Sequence, residues 1–224
     1  MLLLVADTSG KNGSVALARA GSASEVEVIE SVPLAGGSFS AQMVPQIAAL
    51  LARHRFGKAE IGAFVVVSGP GSFTGLRVGL AAIKALAEVL RKPIVPVSLL
   101  EVVALTSGAS GKVLAVLDAG RGEVYAGEYQ LGGGRAELLR EQLLPNDEFL
   151  SAACGSVVAT PNPILAEMAR NAGLSVSAVE LPGAQRIARL GWRKMQAGET
   201  VAPEQLEANY MRRSDAEIFA KNNP

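Results

Sequence analysis

The stretch "SGPGSFTGLRVG", residues 68–79, follows the apolar run "AFVVV" (63–67) and opens a long apolar segment. It reads as a glycine-rich loop between a buried strand and a helix. A Walker-type phosphate loop needs Gly, four residues and then Gly-Lys-Ser or Gly-Lys-Thr, but here Gly75 is followed by Leu76. The dinucleotide fingerprint fails too, because the third glycine, Gly75, comes one residue late after Gly69 and Gly71. What remains is structural. Gly69 and Gly71 permit a tight turn, Ser72 or Thr74 can cap the helix, and Gly75 with Gly79 thin one side so that a neighbour can approach. An anion on the helix N-terminus is the secondary reading.

Upstream, "LLLVAD", "SVALAR" and "EVEVIESV" alternate as strands separated by turns, which predicts an antiparallel meander. "SFSAQMVPQIAALLARH" then has apolar residues at helical spacing, with Ser38 or Ser40 as N-cap; Pro45 either lies near the true start or kinks the helix. Downstream of the loop the helix runs to about Arg91, followed by a strand in "KPIVPVS" and a helix in "LLEVVALTS". The cycle partly repeats in "KVLAVLDAGRGEVYAGEYQL" and "RAELLREQLL", again strand, Asp, turn and strand. The remainder fits the short strands and helices of a reduced second unit, with "KNNP" frayed at the end. Two related α/β units are expected: residues 1–107, carrying the two long helices, and 108–224, whose C-terminal segment is free to pack back on the first.

Acidic and basic residues balance at 21 each in 224 residues. The basic ones are scattered, so the chain lacks the footprint of a protein that grips nucleic acid alone. The start, "MLLLVADTSG", has no basic flank and reads as a first strand, not a signal peptide, and no segment is long and apolar enough to span a membrane. A soluble cytoplasmic protein is expected. Cys154, the only cysteine, excludes an internal disulfide and is expected as a small buried hydrophobe. Trp192, among Ile187, Leu190 and Met195, is expected in the core.

The helix after the loop has its charges, Arg77, Lys84, Glu88 and Arg91, within an arc of about 60°. The rest of its circumference is apolar or small, so it must be covered on two sides, either wholly within its own chain or partly by another subunit. The helix from Phe39 shows the same bias, and two such helices can form half of a four-helix interface. The candidate contacts are Phe39, Met43, Ile47 and Leu50 on the first helix, and Gly75, Leu76, Gly79, Leu80, Ile83 and Leu90 on the second. A charge at Leu80 or Ile83 is expected to break pairing while leaving the monomer soluble.

Asp7, followed by Thr8 and Ser9, and Asp118 each end a strand before a turn. A carboxylate there can hold a metal-bound phosphate through water, or simply form an Asx turn. His54 is the only histidine, so a two-His metal site cannot be built and a Ser-His-Asp triad lacks its serine elbow. At a helix end it is expected to cap carbonyls or pack. The sequence offers no cofactor motif and no metal site.

Taken in order, "LLVADTS", "GPGSFTGLRVGLAAIKALA", "PIVPVSLLEVVA" and "DAGRGEVYAGEY" closely resemble the TsaB (YeaZ) family over about residues 1 to 130, and "ANYMRR" resembles a degenerate form of its C-terminal Tyr-Leu-Arg element. The resemblance implies an α/β fold of the actin, sugar kinase and Hsp70 type, in which two tandem RNase H-like units share a mixed five-stranded sheet design and the second is reduced. It also implies a partner subunit without catalytic activity of its own. Such proteins pair with TsaD, which carries the metal and transfers threonylcarbamoyl to adenosine 37 of tRNAs reading ANN codons, while the ATPase TsaE acts on the pair and tRNA is met through the complex. The family's subunit contact uses the first two helices, which also allow a homodimer. Two departures stand out: Phe39, followed by Ser40, stands where the family commonly has His followed by Ser or Thr, and Gly120 replaces an Arg in the second Asp-Ala-Arg-Arg-Gly motif. A stand-alone ATP-binding hydrolase of the actin-like type, or a glycopeptidase, is the alternative.

Overall fold

The computed structural model of the chain describes residues 1–21 and 25–211, which leaves "KNNP" and the end of "ANYMRR" outside the described residues. It divides into two units. Unit 1 comprises Met1–Leu99 and Pro182–Asn209, and unit 2 holds Leu100–Leu181 with the described residues after Asn209. The first stretch of unit 1 closes at Leu99, and most of the helix that begins there groups with the second sheet.

Unit 1 opens with the meander β1 (Leu2–Asp7), β2 (Gly13–Ala20) and β3 (Val26–Leu34), followed by α1 (Phe39–Arg53), β4 (Ile61–Gly69), α2 (Phe73–Leu90) and β5 (Ile94–Ser98). The sheet order is β3-β2-β1-β4-β5. The meander pairs are antiparallel, whereas β1–β4 and β4–β5 are parallel. Parallel neighbours need crossovers, and α1 and α2 supply them. Pro45 lies inside α1, past its start.

The sheet is buried on both faces, which is why β4 reads as an unbroken apolar run. On one face Leu4, Leu17, Phe64 and Val66 meet Met43, Ile47 and Leu50 of α1 with Leu80 and Ile83 of α2. The other face, with Leu3, Val5, Val65 and Val67 buried, is covered by α6 (Ala184–Gln196). Gly191 makes this possible, because a Cβ there would collide with the side chain of Val65. The side-chain amide of Gln185 on α6 accepts from the Val28 N–H at 3.0 Å and donates to the Val26 carbonyl at 2.6 Å, occupying backbone groups of edge strand β3.

Unit 2 contains α3 (Leu99–Thr106), β6 (Gly111–Gly120), β7 (Glu123–Gly132), β8 (Arg135–Pro145), α4 (Asn146–Ala152), β9 (Val157–Thr160), α5 (Pro163–Asn171) and β10 (Val176–Ala178). Its sheet order, β8-β7-β6-β9-β10, repeats that of unit 1 strand for strand, with the same antiparallel and parallel pairings. The reduction lies in length, since β9 and β10 have 4 and 3 residues, and not in strand number. Helix α4 is absent from the sequence reading; it has a single fully buried side chain, Phe149, so no periodicity announces it.

A helix follows the fifth strand in both units, and each belongs with the other unit: α3 with the second sheet, α6 with the first. A chain ending at residue 107 keeps all five strands, α1 and α2 but loses the cover over Leu3, Val5 and Val65. It is expected to aggregate without a cooperative thermal transition. A sharp melt by circular dichroism in that fragment would contradict this account of the core.

Candidate protein interface

The glycine loop is filled by its own chain. Ser9 carbonyl accepts from Ser72 N–H at 2.7 Å, and a Cβ at Gly71 would lie 2.8 Å from Ser9 Cβ. One turn further, Cβ atoms at Gly75 and Gly79 would collide with the carbonyl and the hydroxyl of Thr8. Ser72 is the N-cap of α2, its Oγ accepting from Gly75 N–H at 3.3 Å. Gly69 has φ +130, a conformation open to glycine alone, and its Cβ position faces the Asn209 carbonyl. The thin side that the sequence offers to a neighbour therefore receives the end of β1. Phe39, one of the two departures, lays its ring against Gly13 and Gly75. On α1, Ser38 takes the N-cap position without a side-chain cap bond.

This seating decides which faces of the two helices are inside. Phe39, Met43, Ile47 and Leu50 of α1, and Leu76, Leu80 and Ile83 of α2, are buried in the core of unit 1. Gly75 and Gly79 are buried as well, and Leu90 is half-buried. In the isolated chain Leu90 alone among these ten candidates is more than marginally accessible, and a charge at Leu80 or Ile83 strikes the core. A second apolar stripe lies outside. Ala41, Val44, Pro45, Ala48 and Ala52 are exposed on α1; Ala81, Ala85 and Val89 are exposed on α2, flanked by half-buried Val78 and Ala82. Val44 is 50% and Val89 75% accessible. Both sets follow the same i, i+3, i+4, i+7 spacing, and α1 and α2 are neighbours, so the two stripes lie side by side. Size is the distinguishing signal: Phe, Met, Leu and Ile positions line the inner face with Gly75, Gly79 and Ala87, whereas the outer stripe is alanine-rich with Val44 and Val89.

Asp7 is the acceptor of an Asx turn, taking Ser9 N–H at 2.9 Å and Ser9 Oγ–H at 2.6 Å. Burial raises its carboxyl above the ordinary range, and the two Ser9 donors oppose that shift. Thr8 and Ser9 are buried beside it. Asp118, which is exposed, accepts Gly120 N–H at 2.7 Å in the corresponding turn of unit 2. Among the described residues no group of three or more His, Cys, Asp or Glu could hold a metal ion. His54 occupies the C-cap position of α1, and its ring Nε2 lies 2.7 Å from Glu30, which also pairs with Arg53 at 2.7 Å. Arg53 and then His54 hold the Glu30 carboxyl below its usual range. Cys154 is exposed, a correction to the buried reading, because it follows short α4, whose inner side is already occupied by Phe149 and Ala153. Trp192 is half-buried, and its Nε1 has no partner among the described residues. Among the described residues no helix is long and apolar enough to cross a membrane.

The family model described as TsaD, tRNA N6-adenosine threonylcarbamoyltransferase, matches residues 33–218. The tRNA threonylcarbamoyladenosine biosynthesis protein TsaB of Escherichia coli is 30% identical, with 96% of each chain covered. Its Bacillus subtilis namesake is 33% identical over 68% of this chain, a match spanning 63% of that relative. A Pseudomonas aeruginosa structure, described as an uncharacterized protein with similarity to peptidase YeaZ, is 28% identical with a TM-score of 0.74 and covers 94% of this chain and 99% of its own. Fold and likeness together define an α/β protein built of two tandem units, each on a mixed five-stranded sheet of the same strand order. Within that class the chain belongs to the TsaB, or YeaZ, family.

Two outcomes test the seating of the loop. Gly79→Ala forces a methyl into the Thr8 hydroxyl and is expected to cost about 1–3 kcal/mol, a fall in Tm of roughly 2–4 °C for each kcal/mol. Asp7 carries a folded-state pKa above its unfolded one, so stability falls as pH rises from the ordinary carboxylate value through the raised one. Asp7→Asn should therefore melt higher than the parent at neutral pH, with the gap closing below the ordinary carboxylate pKa. Parallel melting curves at both pH values would refute the burial argument.

Proposed function

We propose that the chain is a non-catalytic, activating partner subunit in the biosynthesis of tRNA threonylcarbamoyladenosine, and that the outward stripes of α1 and α2 dock on a TsaD-type subunit. The pair then transfers threonylcarbamoyl to adenosine 37 of ANN-decoding tRNAs, with a TsaE-type ATPase acting on it and tRNA reached through the complex. The likeness to TsaB proteins of tRNA threonylcarbamoyladenosine biosynthesis supports this assignment. The observation that carries the docking reading is the paired stripe itself, apolar on two adjacent helices whose inner faces are already satisfied.

The physical case is one of shape and solvation. An apolar patch extending over two helices gains by leaving water, at roughly 25 cal/mol per Å² buried. Alanines let a partner helix approach closely, while Val44 and Val89 supply knobs. A second copy can use the same surface around a two-fold axis, which makes a homodimer a competitor for it.

Ala48→Glu and Ala85→Glu place a carboxylate in the centre of each stripe, on the solvent side. Both variants are expected to melt within about 0.5 kcal/mol of the parent, to lose co-purification with the TsaD-type subunit of the same organism, and to abolish threonylcarbamoyl transfer in the reconstituted reaction. Leu80→Glu, by contrast, is expected to unfold unit 1. Undiminished pairing in both alanine variants would sink the interface.

A further inference from the structure

The helices of this protein end in two different ways. Past their C-termini α3, α4, α5 and α6 each turn through a left-handed glycine: Gly108 (φ 66), Gly155 (φ 77), Gly173 (φ 77) and Gly198 (φ 79). Helices α1 and α2 make the same turn with arginine, at Arg55 (φ 56) and Arg91 (φ 52). The closing hydrogen bond is the same in both kinds: Phe56 N–H to Leu51 O at 2.9 Å and Lys92 N–H to Ala87 O at 3.1 Å, against Leu174 N–H to Ala169 O at 3.0 Å and Glu199 N–H to Lys194 O at 2.9 Å. Glycine is the unstrained residue in that conformation, so arginine carries a conformational cost at both sites.

Compensation of the helix dipole does not require it. Helices α5 and α6 keep their glycine and place Arg170, or Arg193 and Lys194, in the last turn instead. Both arginines are exposed, and neither guanidinium has a hydrogen bond or ion pair among the described residues. Both crossovers run from the C-terminal edge of the parallel strands to their start, so α1 and α2 point the same way and both arginines stand at the end where β4 and β5 begin. That end is the margin of the two outward stripes. Lys58 and Lys92 lie close by in sequence, with Glu60 and Glu88 as the acids, and Arg91 and Lys92 border a depression with Pro93, Val201 and Pro203.

We infer that Arg55 and Arg91 form a cationic rim that selects a partner subunit carrying carboxylates opposite the C-terminal ends of α1 and α2, and discriminates against a second copy of this chain. The inference rests on the docking reading above. A second copy meets the rim with matching helix ends that are themselves uncharged or net positive. Laid antiparallel, it offers the first turns of its own α1 and α2, which hold no acidic residue and carry the positive end of the helix dipole. Laid parallel, it opposes two like rims, each carrying Arg55, Lys58, Arg91 and Lys92 against Glu60 and Glu88 and so net positive. Complementary charge at a rim acts mainly on the rate of encounter and on the rejection of wrong partners.

The test uses Arg55→Gly and Arg91→Gly, singly and together, because glycine suits the backbone and should leave Tm equal or higher. Association with the cognate TsaD-type subunit is followed by stopped-flow or surface plasmon resonance from about 0.05 to 0.5 M NaCl, and self-association by analytical ultracentrifugation. The double variant is expected to associate about tenfold more slowly at low salt, to lose most of the salt dependence, and to self-associate at least as tightly as the parent. An unchanged on-rate and salt slope, with Ala85→Glu still abolishing the pair, would overturn the rim and leave the docking face standing. If Ala85→Glu pairs normally, or the unmodified chain does not associate at all, the docking face falls and the rim with it.

Discussion

The buried carbonyl and hydroxyl of Thr8 occupy the space that side chains at positions 75 and 79 would need. That single contact fixes how deep α2 sits against the end of β1 and, because a helix cannot turn without moving every side chain by the same angle, which of its faces is inward. Leu76, Leu80 and Ile83 go to the sheet, and Ala81, Ala85 and Val89 are left in water. The ring of Phe39, resting on Gly75 and Gly13, transfers the constraint to α1. The loop that resembles a phosphate cradle is thus a hub of packing, and what it positions is a pair of helices.

Those helices sort their apolar residues by size. A residue with a large side chain gains most from a close-packed interior, where its many contacts are all satisfied. Alanine gains little there, but on the outer face it keeps the surface smooth and low. The result is a pair of helices whose core packing and whose outward apolar surface are carried by different residues. Ala48 and Ala85 can change without disturbing Ile47 or Ile83. The left-handed arginines extend the same division of labour to the helix ends, where a charge is held at some conformational cost to the chain.

Much of this architecture was legible in the sequence. The two sets of strand, Asp, turn and strand around Asp7 and Asp118 announced the duplicated sheets, and β4 matches its apolar run from Ile61 to Gly69. Two-sided apolarity on the long helices was also legible, since period and composition alone reveal it. Which of the two sides is internal was not, because periodicity treats leucine and alanine alike, and only the contact of Gly79 with Thr8, between residues far apart in sequence, sets the angle. The pairing of α6 with the first sheet is likewise long-range: nothing local in "AQRIARLGWRKMQ" says which unit it covers. Short elements such as α4 fall below the length at which a pattern can be told from chance.

Gln185 closes one further question that a sticky molecule poses. Edge strand β3 presents backbone donors and acceptors that any passing extended segment could extend into a continuous ribbon. One primary amide, reaching from α6, engages one donor and one acceptor of that row, as a single residue of a sixth strand would. A protein with an apolar surface is at hazard of joining in the wrong manner, and growth by strand addition is the least reversible of such errors. That edge is plugged with a side chain and not with more backbone, which leaves two fewer open ladder groups on β3 for strand addition.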